Sequence, residues 1–220
     1  GAGAGVLKDV DLMIRLTKAV IDSTHLPVTV KTRLGWDDNS INIDEVAERL
    51  QDIGVAALSI HARTRAQMYK GHSDWSHIAR VKNNPRITMP IFGNGDIDSP
   101  EKALQYKNEY GIDGIMIGRA AIGYPWIFNE IKHFFKTGEH LAKPTVADRV
   151  EAVRNHLTWA MDWKGERHGI VETRPHYTNY FKGIHSFKTY KQQLVTLDKP
   201  EELFAVLDEI IDAYSGYEVV

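Results

Sequence analysis

The chain has 220 residues, of which 43% are hydrophobic and 25% charged, and this length and composition fit one large or two small globular domains. Its formal net charge of −2 argues neither for nor against an anionic partner, and its lack of cysteine excludes disulfides, thiolate nucleophiles, zinc–thiolate sites and iron–sulfur clusters within these residues. No apolar run approaches the ~20 residues of a membrane span, and no charged-then-apolar leader precedes the first helix. We therefore expect a cytoplasmic location and no membrane partner.

The first half of the chain alternates short apolar runs with amphipathic stretches. After a helix expected over residues 9–24, the runs lie at residues 27–30, 57–60, 89–92 and 114–117. Their spacing matches one strand and one helix per unit, and their continuous apolarity predicts strands that are buried on both faces and therefore parallel. Ser99-Pro100-Glu101 predicts a helix start, because it joins a capping hydroxyl, a first-turn proline and an acid.

From residue 125 onward the strand signal stops. Helices are expected over residues 126–136, 145–164, 172–187 and 200–214. Thr145, with Asp148 three residues later, resembles a capping box. Because Gly138 and Pro144 punctuate the first junction, we predict an α/β domain over residues 1–138 and an all-helical domain over residues 139–220.

A basic stretch interleaved with aromatic residues lies in the helical half. Residues 164–193 contain six Lys or Arg residues against two acids, a balance of +4, among tyrosines and phenylalanines. Basic side chains among aromatic rings suit an RNA backbone whose bases are available for stacking. The alternative is a solvated helix face over an aromatic core, and the sequence leaves both interpretations open. The candidates for RNA contact are Arg174, Lys182, Lys188 and Lys191.

Polar and glycine-rich segments follow each predicted strand. They are Lys-Thr-Arg at residues 31–33, His-Ala-Arg-Thr-Arg at 61–65, Gly-Asn-Gly-Asp at 93–96 and Gly-Arg at 118–119. In parallel α/β proteins such positions face the ligand crevice, and glycines before a helix let the backbone approach an anion. The direct interpretation is an anionic, phosphate-bearing ligand.

Each of these segments also has a purely structural interpretation. Lys31 could be a surface lysine, and His61 could be a structural histidine. The Asn-Gly pair at residues 94–95 could be an ordinary turn, and Gly118-Arg119 could cap its strand. The histidines lack the spacing that is typical of metal ligands, so we expect no metal site.

Four longer motifs occur in order along the chain, after an initial Gly-Ala-Gly. They are Pro-Val-Thr-Val-Lys-Thr-Arg-Leu-Gly-Trp from residue 27, Ile-His-Ala-Arg-Thr-Arg from residue 60, Gly-Asn-Gly-Asp-Ile from residue 93 and Met-Ile-Gly-Arg-Ala-Ala-Ile-Gly-Tyr-Pro-Trp-Ile-Phe from residue 116. In this combination the chain resembles tRNA-dihydrouridine synthases, most of all the bacterial B-type branch. The helical half matches more loosely, at Glu172-Thr173-Arg174-Pro175-His176, where the family often shows Arg-Lys-His and this chain has a proline in place of the lysine.

The resemblance implies the C-terminal half of a (β/α)8 TIM barrel, with four parallel strands and their helices, followed by a helical tRNA-binding domain. It implies that FMN is reduced by NADPH and passes a hydride to C6 of a uridine in tRNA, which gives 5,6-dihydrouridine. It also implies that Lys31 contacts the flavin ring, that His61 lies near the ribityl-phosphate side and that His176 contacts RNA. The residues that it implies hold the FMN phosphate are Asn94, Gly95, Asp96, Gly118 and Arg119.

The chain departs from the family pattern in one large respect. In the family a proton-donating cysteine lies in an Asn-x-Gly-Cys-Pro loop shortly before the Gly-Ala-Gly segment with which this chain begins. We therefore expect the chain to be the C-terminal portion of such an enzyme, without the N-terminal barrel half, and to be inactive alone. Two alternatives remain open: a non-catalytic RNA-binding remnant, and another FMN-dependent barrel oxidoreductase.

Overall fold

Four short strands pair side by side in chain order and alternate with helices. The computed structural model describes residues 3–217. Its first half opens with a 3-10 turn and α1, and then runs through β1 (Thr29–Arg33), α2 (Ile43–Asp52), β2 (Ala57–His61), α3 (Ser76–Lys82), β3 (Ile91–Asn94), α4 (Pro100–Tyr110) and β4 (Gly114–Met116). Helix α1 spans Val10–Asp22. All three strand pairs are parallel, in the order β1-β2-β3-β4, which confirms the prediction of a four-stranded parallel sheet.

Over residues 119–217 the regular structure consists of helices, together with a 3-10 turn at Arg119–Ala121. They are α5 (Ile127–Thr137), α6 (Val146–Lys164), α7 (Glu166–Tyr180), α8 (Lys188–Thr196) and α9 (Pro200–Ala213). Their apolar faces bury one cluster that includes Val150, Leu157 and Tyr177, so this unit has a core of its own.

Side chains in the sequence account for where several helices begin and end. The Ser99 hydroxyl accepts a hydrogen bond from the Lys102 amide, with Pro100 at the first helical position of α4. Thr145 and Asp148 satisfy each other's backbone amides at the start of α6, which confirms the capping box. Gly138 ends α5 with a φ of 74°, a conformation that glycine adopts without strain.

Contacts within the chain divide it into two compact units, Gly1–Gly118 and Arg119–Val220. This division lies before the boundary near residue 138 that the sequence predicts. The reason is that residues 119–138 associate with the helices: Trp126 packs against the helical core, and Gly123 lies against Asn179. Gly1 and Ala2, at the start of the predicted α/β domain, lie outside the described residues.

The sheet has one apolar face. Leu58, Ile60 and Ile91 are completely buried on that face, because alternate residues of a strand point to opposite sides. The neighbouring helices contribute further buried apolar residues, such as Val46 and Leu50 of α2. The other face carries polar side chains and is described with the candidate site.

The first strand differs from its prediction in place and in burial. It spans Thr29–Arg33 rather than residues 27–30, and Thr29 and Lys31 are exposed. The expectation that every strand is buried on both faces is therefore wrong: burial alternates in β1 and β3, and β4 has no fully buried residue. The physical reason is that the buried apolar residues of the sheet lie on one face, while Lys31, His61 and Asn94 lie on the other.

The helix predicted over residues 172–187 is also wrong in its bounds. Helix α7 runs from Glu166 to Tyr180, and a separate helix, α8, begins at Lys188. The break coincides with left-handed backbone at Gly183 (φ 87°) and Ser186 (φ 58°). In addition, the buried Arg149 donates hydrogen bonds to the carbonyl oxygens of Tyr180 and Lys182, which fixes the chain as it leaves α7.

Candidate functional site

Three predicted site residues of the first unit lie on the polar face of the sheet. The strand register pairs Arg33 with His61, and His61 with Asn94, at the carboxyl ends of β1, β2 and β3. Side chains at paired positions of parallel strands point to the same side, and Lys31 shares that side because it lies two residues before Arg33. The structure thus brings Lys31, His61 and Asn94 to one face, inside the strands rather than after them as the sequence suggests.

The Lys31 ammonium lies in a positive environment. Its side chain makes no ion pair or hydrogen bond within residues 3–217, while the guanidinium of Arg33 is close enough to repel it. Partial burial, together with Arg33, lowers the pKa of Lys31 below its ordinary value. A cation without a counter-ion at the polar edge of a sheet is suited to an anionic ligand.

His61 is buried and lies near three cations and the carboxylate of Asp96. Burial lowers the pKa of His61 to about 4, and Arg33, Lys31 and Arg63 act in the same direction. Its imidazole is therefore neutral at pH 7. A neutral imidazole offers one donor and one acceptor nitrogen to a ligand rather than a charge.

Arg33 braces the loop that follows β2. Its Nη1 donates to the carbonyl oxygens of Thr64 (2.9 Å) and Met68 (3.1 Å), and its guanidinium lies 5.9 Å from the centre of the Tyr69 ring. Arg33 belongs to the Lys-Thr-Arg segment after the first predicted strand, but it is not among the predicted site residues. Its position two residues after Lys31 is the signal that could have selected it, since both side chains then share a face.

A cavity of about 420 Å³ opens beside β1. Lys31 and Arg33 line it together with apolar side chains of α1, among them Met13 and Leu16. The polar face of the sheet is therefore accessible along the edge of β1.

Arg63 is the most buried cation of the first unit and was missed by the sequence analysis. Only 2% of its surface is exposed, and its two terminal nitrogens donate to the two carboxylate oxygens of Asp96 at 2.9 and 2.8 Å. Burial raises the pKa of Asp96, but the Arg63 guanidinium and the Ser73 amide outweigh it and hold that pKa well below its ordinary range. Asp96, a predicted phosphate contact, is thus an ion-pair partner of Arg63.

The turn after β3 contains two backbone amides, those of Gly95 and Ile97, that have no partner among the described residues. Gly95 has a φ of 136°, where a side chain would be strained, and a Cβ there would lie 2.8 Å from the Cβ of Ser73. Neither the Gly95 nor the Ile97 amide donates a hydrogen bond to any described residue. Asn94 is anchored by its side-chain amide, which donates to the Met116 carbonyl at 2.8 Å. The turn is therefore anchored, and two of its amides lack an acceptor within the described residues, as in an anion-binding turn.

Gly118 and Arg119 lie on either side of the division between the units. Gly118 closes the first unit and has open space where a side chain would lie. Arg119 opens the second unit, as the first residue of the 3-10 turn. The phosphate contacts predicted for both residues stay a prediction.

Two of the predicted RNA contacts are engaged within the helical unit. The Arg174 guanidinium pairs with Asp198 and donates to the carbonyl oxygen of Leu197. The His176 ring lies 5.0 Å from that of His156, across α6 and α7. Burial lowers the pKa of His156, and His176 lowers it further. The ion pair of Arg174 stabilises a contact within the helical unit, and an RNA contact of Arg174 would compete with it.

The three predicted lysines of this region are exposed. Lys182 lies in the turn after α7, and Lys188 and Lys191 share one face of α8, three residues apart. None of the three has a carboxylate partner among the described residues, and α8 itself contains no acidic residue. They remain available for a polyanion.

The described residues were expected to contain no metal site and no membrane-spanning segment. Among residues 3–217, no group of three or more histidine, cysteine, aspartate or glutamate residues is arranged to hold a metal ion. Over the same residues, no helix has the length and apolar character that crossing a membrane requires.

The comparison with family models decides the family. A model described as dihydrouridine synthase (Dus) matches residues 1–215. The chain belongs to the dihydrouridine synthase family. Its four parallel strands alternating with helices, followed by a helical unit, confirm the fold class that the resemblance implies: a partial (β/α)8 barrel followed by a helical domain.

Relatives in this family are longer than the chain. A Synechocystis protein named "Probable tRNA-dihydrouridine synthase 1" is 42% identical over 211 residues, which is 96% of this chain and 59% of that protein. The tRNA-dihydrouridine synthase B of Xanthomonas axonopodis pv. citri is 37% identical over 212 residues, or 96% of this chain and 63% of that protein. The chain thus spans about six tenths of the length of these two family members.

Similarity to solved structures is weaker for this family member. A mandelate oxidase mutant with (S)-mandelic acid matches with a TM-score of 0.39 and 14% identity, covering 90% of this chain and 68% of that one. This similarity is too low to support any conclusion about function.

Proposed function

We propose that the protein is a tRNA-dihydrouridine synthase, which uses FMN and NADPH to reduce uridine to 5,6-dihydrouridine in tRNA. The observation that carries this proposal is the row of Lys31, His61 and Asn94 on the polar face of a parallel sheet, in a chain that belongs to this family. A small-molecule FMN oxidoreductase would account for the row of polar residues but not for the exposed lysines of the helical unit.

The residues of the polar face fit FMN chemically. Lys31 supplies a cation with no counter-ion among the described residues, and Gly95 and Ile97 supply backbone amides with no acceptor there. Such donors match a phosphate, and a cation near the ring system stabilises negative charge on a reduced flavin. FMN, when bound, would supply the hydride for the pyrimidine C5–C6 bond.

His61 would act as a neutral hydrogen-bonding group. Because the pKa of His61 is about 4, its imidazole is uncharged at pH 7, and the positive charge that attracts the negative ligand comes from Lys31. Its role is to orient the ligand and to exclude water at the carboxyl end of β2. The proton that the pyrimidine needs at C5 would come from a cysteine of the family's Asn-x-Gly-Cys-Pro loop. These 220 residues contain none, so we expect no turnover from them alone.

The helical unit would bind tRNA through exposed lysines. Lys182, Lys188 and Lys191 have no carboxylate partner within the described residues, so a phosphate backbone can approach them without displacing an acid. Arg174 and His176 are weaker candidates, because each is already held by a neighbouring side chain.

The test is flavin binding by the protein at its natural length. We expect a yellow protein whose released cofactor is FMN, and we expect Lys31→Met to lower the FMN content and the affinity for added FMN. Lys136→Met, which changes an exposed lysine in the last turn of α5, is the matched control and should bind FMN like the parent. A colourless protein that binds tRNA and no added FMN would contradict the proposal and favour a non-catalytic RNA-binding role.

A further inference from the structure

A buried ion pair anchors the turn that contains the Gly95 and Ile97 amides. Arg63 follows β2, is 2% exposed and holds both oxygens of the Asp96 carboxylate. Its Nε also donates to the Lys70 carbonyl (3.2 Å), and its Nη2 to the Gly71 carbonyl (2.6 Å). One guanidinium therefore joins the loop after β2 to the turn after β3.

The Asp96 carboxylate is fully used inside the protein. Besides Arg63, it accepts a hydrogen bond from the Ser73 amide at 2.9 Å. A carboxylate would also repel a phosphate, so a direct contact between the Asp96 side chain and a phosphate is unfavourable. A role of the Asp96 side chain in the site must therefore be indirect, through the conformation of its own backbone.

The backbone at Asp96 gives that other role. Its φ of 54° lies in the left-handed region, which residues other than glycine enter only when the surroundings hold them there. The ion pair with Arg63 holds it there from one side. From the other side, the Trp75 indole donates to the Gly95 carbonyl at 3.1 Å. The Gly95 and Ile97 amides of the same turn have no acceptor among the described residues.

We propose that Arg63 and Asp96 are positioning residues, whose bidentate pair holds the turn after β3 in the conformation that offers the Gly95 and Ile97 amides to the phosphate of the cofactor. This inference rests on the proposed FMN site. It changes the expected role of Asp96 from ligand contact to support. Because the pair is neutral as a whole, attraction of the anion is left to Lys31 and the amides, while Arg63 and Asp96 set the geometry.

The inference predicts a selective loss of affinity for the phosphate. In the protein at its natural length, Asp96→Asn removes the charge and one acceptor oxygen while keeping the shape. We expect FMN binding, measured by quenching of flavin fluorescence, to weaken by about tenfold or more, as when an outer partner of a ligand-holding group is removed. Riboflavin has the same ring and no phosphate, and its affinity should change less than about twofold.

A matched control separates positioning from general stability. Asp113 is also held by a cation, Lys82, and by a backbone amide, that of Ile91, but it lies where β3 and β4 begin. Asp113→Asn should leave the ratio of FMN to riboflavin affinity at the parent value. If Asp96→Asn does not fold, Arg63→Lys takes its place, because lysine keeps the charge and cannot form the bidentate pair. We expect the same selective loss from it.

The outcomes distinguish this inference from the proposed function. If the parent binds FMN and the Asp96 or Arg63 variant keeps the parent's ratio of FMN to riboflavin affinity, the positioning role is wrong and the FMN site stands. One form of that result is that FMN and riboflavin affinity both fall by the same factor, and the pair would then have only a structural role. If the parent binds neither flavin, the proposed function fails, and the positioning inference fails with it.

Discussion

The buried, neutral His61 predicts that the first unit loses stability as the pH falls below 6.5. The pKa of His61 in the folded chain is about 4, below the ordinary histidine value of 6.5, because burial and the cations Arg33, Lys31 and Arg63 disfavour its charged form. Between pH 6.5 and pH 4, His61 therefore binds a proton in the unfolded chain but not in the folded chain. The stability from this group is complete above pH 6.5 and is lost as the pH falls toward 4.

The size of the effect follows from the two pKa values. For a group that titrates at about 4 when folded and at 6.5 when unfolded, linkage gives a loss of about 2 kcal/mol in the free energy of unfolding by pH 5. The ceiling is about 3 kcal/mol, reached below pH 4. The parent should therefore lose that much more stability between pH 7 and pH 5 than a variant without the imidazole.

The assay is urea unfolding of the parent and of His61→Asn at pH 7 and pH 5, without flavin. Subtracting the variant's pH dependence from that of the parent removes the contribution of other titrating groups. His25→Asn, at an exposed histidine, is the matched control for the substitution. If the parent and His61→Asn lose equal stability between the two pH values, His61 is not a buried neutral group and the electrostatic account of the site is refuted.

Three further predictions concern packing, capping and RNA contact. Gly93→Ala should lower the free energy of unfolding by about 2 kcal/mol in urea titrations, because the new Cβ would overlap the buried ring of Trp75. Thr145→Ala should cost about 1 kcal/mol in thermal unfolding followed by circular dichroism, since it removes the capping box of α6. The double variant Lys188→Ala, Lys191→Ala should weaken tRNA binding and lower its dependence on log salt by about two slope units; an unchanged slope would contradict a phosphate contact there.

Local patterns were sufficient to predict most of the fold. Continuous apolar runs located all four strands, because the apolar composition of a short segment is itself the signal for a strand of a parallel sheet. The start of α4 at Ser99-Pro100 and that of α6 at Thr145 were correct for the same reason. The capping groups lie within three residues of the amides that they satisfy.

The errors arose where distant residues decide the structure. The break after α7 depends on Arg149, which contacts carbonyls more than thirty positions later in the chain. Periodicity within residues 172–187 carries no information about that contact. The local signal is the glycine at position 183, a residue type that adopts a φ such as the observed 87° without strain.

The candidate site was predictable by position and less so by role. Lys31, His61 and Asn94 could be selected because they come at the ends of apolar runs. The pairing of Arg63 with Asp96 joins residues 33 positions apart, so no local spacing reveals it. For the same reason, the sequence could not tell that the Asp96 side chain is occupied by an arginine.

The central claim is tested most directly by the product that the protein forms in tRNA. The protein at its natural length, supplied with FMN and NADPH, would be incubated with an unmodified tRNA transcript, which would then be digested to nucleosides for mass spectrometry. We predict a nucleoside that carries two hydrogens more than uridine, formed only when NADPH is present. Complete conversion of NADPH with no change in uridine, or no change in either, would contradict the assignment of this chain to a working tRNA-dihydrouridine synthase.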